Sequence, residues 1–290
     1  MTLKTEVEVS VGGSVGDPPQ SQGRPGGIWA AMGGLFAFRG HSSSVVELGV
    51  SIAAAAIVLA VWETASRVGW VAPQFLPSPS AVLRALWTMT TEQSLGFHVA
   101  VSTGRVWLAF LLAAVMAIPI GIMMSSYRVV GAALEPMIDF IRYLPVPALV
   151  PLSIIWFGVG ETTKIFLLWL GTFFQLVLLV ADDMRRVPQE FVEVARTVGA
   201  NSRQVMWDVA LRSMGPTLLD SLRITLGWCW TYLIIAEIVA ANSGIGYVIW
   251  QARRFVKTPE VMAGVVVIGL IGLVTDQLLR LLHRRLFRYL

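Results

Sequence analysis

Six long apolar stretches decide what this chain can fold into: residues 45–68, 97–125, 134–157, 163–180, 217–240 and 261–282. At about 1.5 Å of rise per residue, each crosses roughly 30 Å of hydrocarbon as a helix, or comes close to it. Inside a bilayer every backbone N–H and C=O needs an internal partner, and for runs of this length the helix supplies it. The expected fold class is therefore an all-α membrane protein with six transmembrane helices. Composition agrees: 56% of the 290 residues are hydrophobic and only 14% charged, with mean hydropathy +0.70. Soluble domains carry more charge and less apolar surface.

An even number of spans puts both termini on one side. With the termini inside, Lys and Arg divide thirteen inside to six outside, and Arg105, Arg142 and Arg223 fall within spans. The positive-inside rule then predicts cytoplasmic N- and C-termini and a cytoplasmic loop at 181–213. It also accounts for much of the net charge of +4 without nucleic acid. Residues 1–44 are rich in Gly, Ser, Pro and Gln and read as a largely disordered tail, with a short apolar segment at 28–38 suited to the membrane interface. Residues 45–290 form the membrane domain. Cys229 is the sole cysteine, and His41, His98 and His283 lie too far apart to set a metal spacing.

The longest polar interruption, residues 187–216, separates the fourth span from the fifth. Val187, Phe191, Val194, Ala195 and Val198 recur mostly at steps of three or four and share one helical face. Pro188 suits the first turn of that helix and Gly199 its stop, while Ser202 can cap a second short helix carrying Val205, Met206 and Val209. A compact amphipathic helix–glycine–helix unit on a membrane protein suits docking into another protein's groove. Glu193-Val194-Ala195, then Gly199 after three residues, then Val209-Ala210-Leu211 after nine more, resembles the "EAA" loop of the membrane permeases of bacterial ATP-binding-cassette importers. Val194 stands where the pattern has its first alanine and Arg212 where it has proline, with Pro216 four residues on.

The resemblance implies a type I importer permease fold, with the loop at 183–213 forming cytoplasmic coupling helices on separate ATPase subunits. Phe191, Glu193, Val194, Ala195, Val198, Gly199 and Ala200 would then carry the coupling. It further implies a second permease subunit, most simply a copy of this chain, an extracytoplasmic substrate-binding protein, and ATP and Mg bound by the ATPase chains alone. The expected location is the bacterial inner membrane, multi-pass among its lipids.

Charges inside spans are costly and usually face protein or water. Asp139 and Arg142 stand three apart, as do Asp220 and Arg223, so each couple shares a helix face. The first couple reads either as a structural ion pair or as lining of the inner half of a pathway. Pro145, Pro147 and Pro151 follow at once and should bend or break the third span. The run from Arg142 resembles the family's third span, which reads Arg-x-x-Pro-x-x-x-x-x-Pro in one subgroup. In that family the third and fifth spans of two permeases face each other around the pathway. Pathway candidates are accordingly Asp139, Arg142, Pro145, Pro147, Gln175, Arg223, Trp228, Trp230 and Glu237. For Gln175 the competing reading is interhelical hydrogen bonding, and for Trp228 and Trp230 it is packing. Glu237 lies near the outer boundary, either bonded to backbone or to Arg253, or serving as an outer gate or a docking contact.

The turn Ser243-Gly244-Ile245-Gly246 is similar to turns in permeases for nitrate, sulfonate, taurine and bicarbonate, and Arg253, Arg254 and Lys257 form a basic outer cluster. The basic cluster reads as a headgroup-facing rim, as a contact with an acidic binding protein or as a field favouring an anionic substrate. The subgroup resemblance suggests a small anion as substrate, with a small neutral or aromatic nutrient precursor as the alternative. The chain has no Gly-Lys dipeptide, so it lacks a P-loop and is not expected to hydrolyse ATP itself. Its one G-x-S-x-G, at Gly12 to Gly16, sits in the tail without the strand and helix of a nucleophile elbow. A secondary transporter driven by an ion gradient is the rival reading. It would share broken helices but not need the docking loop.

Overall fold

The computed structural model describes residues 44–240 and 242–288, all helical apart from turns and short connections. The expectations for residues 1–43, including the disordered tail and the interfacial segment at 28–38, lie outside the described residues. The chain divides into two compact units, residues 1–60 and 61–290. Helix α1 (Ser44–Val68) runs across that division. In the first unit it exposes Val45, Leu48, Ile52 and Ile57, as a helix facing lipid does.

In the second unit, the last turns of α1 are tied to the extended Leu76-Pro77-Ser78-Pro79 segment. Trp62 Nε1 donates to Pro77 O at 3.0 Å and Ser66 Oγ to Leu76 O at 2.9 Å. Ser78 then caps α2 (Pro79–Glu92) by accepting from Ala81 N, with Pro79 in the first turn, where its missing N–H costs nothing.

Helices α3 (Leu95–Ser126) and α6 (Glu161–Arg185) form the central pair. Ala109, Ala113, Ala117 and Gly121 recur every four residues and make one smooth face on α3. A Cβ on Gly121 would lie 2.7 Å from both Val177 O and Val180 Cβ, so only glycine lets the two backbones come this close. The third member is α9 (Leu211–Ala240), whose Tyr232 ring lies over Gly171 of α6. Leu167, Leu168, Leu176, Val177, Leu226 and Leu233, all at most 1% exposed, fill the space among the three.

The expected third span is not a single rod. It is two helices, α4 (Arg128–Arg142) and α5 (Val146–Phe157), bent by 98°. Pro145 cannot donate, so the last bonds of α4 are those of Tyr143 N to Phe140 O and Leu144 N to Ile141 O, and the chain restarts with Pro147 in the first turn of α5. Counting helices long and apolar enough to cross a membrane gives four among the described residues, α1, α3, α6 and α11 (Thr258–Leu286), or five with the bent pair. The expected span 217–240 lies within α9, which is outside that set. It has the length but carries Asp220, Arg223 and Glu237, each paired within the protein.

The loop after α6 forms α7 (Gln189–Thr197), preceded by Pro188 as its cap residue. Gly199, at φ +87, ends it in a full Schellman turn: Gly199 N donates to Arg196 O at 2.9 Å and Ala200 N to Ala195 O at 3.0 Å. Asn201, not Ser202, caps the next turn, through reciprocal 2.9 Å bonds with Gln204. Nor is the second helix a separate short one. The turn α8 (Ser202–Gln204) runs through a π-helical stretch, Val205–Ala210, directly into α9, with Leu211 N reaching back five residues to Met206 O. After α9 come α10 (Ile245–Arg254) and α11.

Candidate functional site

Three features of the second unit bring polar or exposed groups together: the α7 knob, a cavity at the α4–α5 elbow, and an ionic cluster at the end of the bundle opposite α7.

On the knob, Ala195 is the one side chain of the predicted apolar face that the fold buries, at 9% exposure. Phe191, Val194 and Val198 project outward, 51%, 65% and 80% exposed. Glu193 turns the other way and lines a groove of about 980 Å³ with Arg128, Arg196, Arg203 and Trp207. Two exposed apolar side chains on a nine-residue helix and a third on its cap residue, followed by a Schellman turn and a capping box, make an apolar tip.

The elbow cavity has a volume of about 280 Å³. Arg142 and Leu144 come from the break, Val146 and Leu149 from α5, Phe174 and Gln175 from α6, and Trp228, Thr231 and Tyr232 from α9. Of the predicted pathway residues, the fold brings Arg142, Gln175 and Trp228 to one wall. Pro145 and Pro147 make the bend itself. Asp139 does not line the cavity but pairs with Arg142, Oδ1 to Nε at 3.0 Å.

The other candidates lie elsewhere. Trp230 is 3% exposed and turns toward α11, donating from Nε1 to Thr275 Oγ1 at 3.2 Å. Arg223 sits between two carboxylates, Asp220 at 2.8 Å and Asp276 at 2.6 Å, joining α9 to α11. Glu237 is 1% exposed, and its charged partner is Arg105, not Arg253, which instead lies over the Trp250 ring. The backbone bond expected of Glu237 is present, from Gly246 N at 2.7 Å.

Around Arg105 stands a cluster that sequence reasoning missed. Its Nε and Nη2 grip both oxygens of Glu161 at 2.6 Å, and Nη1 donates to Glu237 Oε1 at 2.6 Å. Nη1 also reaches Ser243 O and Nη2 reaches Ser243 Oγ, so all five N–H groups are used. Ser102 Oγ donates to Glu237 and accepts from Ile245 N, His98 Nδ1 accepts from Gly244 N, and Lys164 Nζ donates to Glu161. Two cations and two carboxylates thus neutralise each other while fastening the turn after α9 onto α3 and α6. The sequence showed only isolated charges, Arg105 and Glu237, in separate apolar runs, because the carboxylate partners of Arg105 are 56 and 132 residues away.

Comparison with known proteins places this architecture. Residues 109–288 match the family described as "Binding-protein-dependent transport system inner membrane component". The taurine transport system permease protein TauC of Escherichia coli is 37% identical over 245 residues, covering 83% of this chain and 89% of that protein. The putative aliphatic sulfonates transport permease protein SsuC of the same organism is 35% identical, covering 80% and 88%. The nitrate import permease protein NrtB of Synechococcus elongatus is 27% identical, covering 77% and 84%. Among solved structures, an amino acid ABC transporter superposes with TM-score 0.59 at 17% identity, covering 69% of this chain and 98% of that one. An inward-facing MetNI methionine ABC transporter superposes with TM-score 0.50 at 18% identity, covering 69% and 95%. These two share the fold, that of a type I importer permease. The chain belongs to the family of inner-membrane permease components of binding-protein-dependent transport systems.

Proposed function

We propose that this permease serves an ATP-driven importer of small anions such as nitrate, a sulfonate or taurine, or bicarbonate. Two copies form the pathway, two separate ATPase chains hold ATP and Mg on the cytoplasmic side, and a binding protein delivers substrate from the other. The termini and α7 lie on the cytoplasmic side. The observation that carries this reading is the α7 knob. Its apolar tip, Phe191, Val194 and Val198, has no cover among the described residues, and the turn and cap that follow it are hydrogen-bonded in place. Relatives named for taurine, aliphatic sulfonates and nitrate support an anionic substrate.

The test is affinity purification from detergent followed by ATPase and uptake assays. An ATPase chain should co-purify with the permease. Gly199→Asp forces a side chain into φ +87, where L-residues are strained by about 1–2 kcal/mol, and sets a carboxylate beside the apolar tip. It should leave the protein in the membrane and abolish both ATPase capture and import, and Glu193→Ala should weaken them. Undiminished ATP-dependent import by Gly199→Asp, or transport by the lone chain on an ion gradient, refutes the reading.

A further inference from the structure

Three arginines stand within the membrane-spanning part of the sequence, and the fold treats them differently. Arg105 has every N–H bonded. Arg223 is held between two carboxylates. Arg142 has one carboxylate, Asp139, against Nε, and one bond from Nη2 to the Tyr143 hydroxyl at 3.1 Å. Its Nη1 has no hydrogen-bond partner among the described residues, and the side chain lines the elbow cavity.

The rest of that wall is of matching chemistry. The Gln175 amide and the Tyr232 hydroxyl also line the cavity without a hydrogen-bond partner among the described residues, and no carboxylate lines it. Leu144, Leu149, Phe174 and Trp228 complete an apolar surround. A cation and two uncharged donors in an apolar cup select an anion with several acceptor oxygens and a small apolar remainder. The volume of about 280 Å³ corresponds to roughly nine water molecules, enough for a molecule of a few heavy atoms. Gln175 lies about 21 Å along α6 from Glu161 and about 15 Å from Arg185, so the cavity is near mid-depth, beside a broken helix.

We infer that Arg142 is the cation that receives the substrate anion in transit, with Gln175 and Tyr232 donating to its oxygens and Trp228 covering its apolar part. The inference rests on the small-anion reading above. Asp139 has a part in it: by neutralising one edge of the guanidinium it keeps the anion weakly held, and a pathway must release what it binds.

The experiment uses the full complex with its ATPase and binding protein, reconstituted in vesicles, with nitrate, methanesulfonate and taurine as probes. Arg142→Gln should reduce anion import at least ten-fold, and Arg142→Lys should retain an intermediate rate. Binding at the permease is read separately, without binding protein, from the tryptophan emission of the complex titrated with methanesulfonate, with chloride as the ionic-strength control. The signal should saturate in wild type, weaken at least ten-fold in Arg142→Gln and tighten in Asp139→Asn. Trp228→Phe should reduce its amplitude. If Arg142→Gln does not assemble, Arg142→Lys and Asp139→Asn still decide, because they move affinity in opposite directions. Wild-type import of an anion matched by every Arg142 variant that assembles overturns the inference and leaves the importer intact. A wild-type complex that imports none of the three anions refutes the anion reading, and this inference with it.

Discussion

Removing Glu237 tests the buried cluster most sharply. Its carboxylate accepts from Arg105 Nη1, Ser102 Oγ and Gly246 N at 2.6–2.7 Å, and its side chain is fully covered. Glu237→Leu keeps apolar volume but strands a guanidinium edge, a hydroxyl and a backbone N–H. Breaking a buried ion pair from one side costs about 3–5 kcal/mol, because the remaining charge is uncompensated. Arg105 retains Glu161, a bidentate partner that offsets part of that charge, which puts the expected loss near 3 kcal/mol, at the lower end. Glu237→Gln, which keeps an acceptor oxygen, should lose about 1–2 kcal/mol. The assay is equilibrium unfolding in mixed micelles by titration with a denaturing detergent, followed by helical ellipticity. Arg105→Met with Glu237→Leu should be less destabilised than the two single changes together by at least about 1 kcal/mol, since neither charge is then left alone. A Glu237→Leu protein within about 0.5 kcal/mol of wild type, or strict additivity in the double change, would refute the view that the two side chains are coupled in a closed environment.

Gly121→Val should destabilise the α3–α6 pair by about 1–3 kcal/mol or more, since its Cβ meets Val177 O and Val180 Cβ, neither of which can move without its backbone. Gly104→Val, on the same helix but with open space around its Cβ, serves as the control and should leave the unfolding midpoint nearly unchanged. Asn201→Ala removes the cap of Gln204 N at a cost of about 1 kcal/mol, which hydrogen exchange should register as roughly five-fold faster opening of the amides in the turn after Asn201.

The α7 knob was legible because its determinants are local. A glycine stop, a 3.6-residue apolar pattern and polar flanks are all written within residues 187–204; the structure differs in placing Pro188 at the cap, in capping the next turn with Asn201 and in running the second helix on into α9. The elbow was legible for the same reason, as three prolines within seven residues leave few donors to continue α4. What local pattern could not show is that the break is a 98° bend, or that the chain after Asn201 runs unbroken into α9. A π turn is set by whether one extra residue can be accommodated between packed helices, and that is a tertiary property.

The charged residues divide along the same line. Asp139 with Arg142 and Asp220 with Arg223 stand three apart, so helix geometry alone brings them together, and both pairs form. Equal spacing does not make them equal sites. Arg223 acquires a second carboxylate from α11, whereas Arg142, beside the 98° bend, lines a cavity and has no second carboxylate among the described residues. Glu237 and Arg105 show the converse, as two isolated charges in apolar runs that meet because α3 and α9 pack beside α6. The availability of a membrane arginine for an anion is therefore decided by how many acceptors the tertiary fold brings to its five N–H groups, a count that spacing along one helix does not contain.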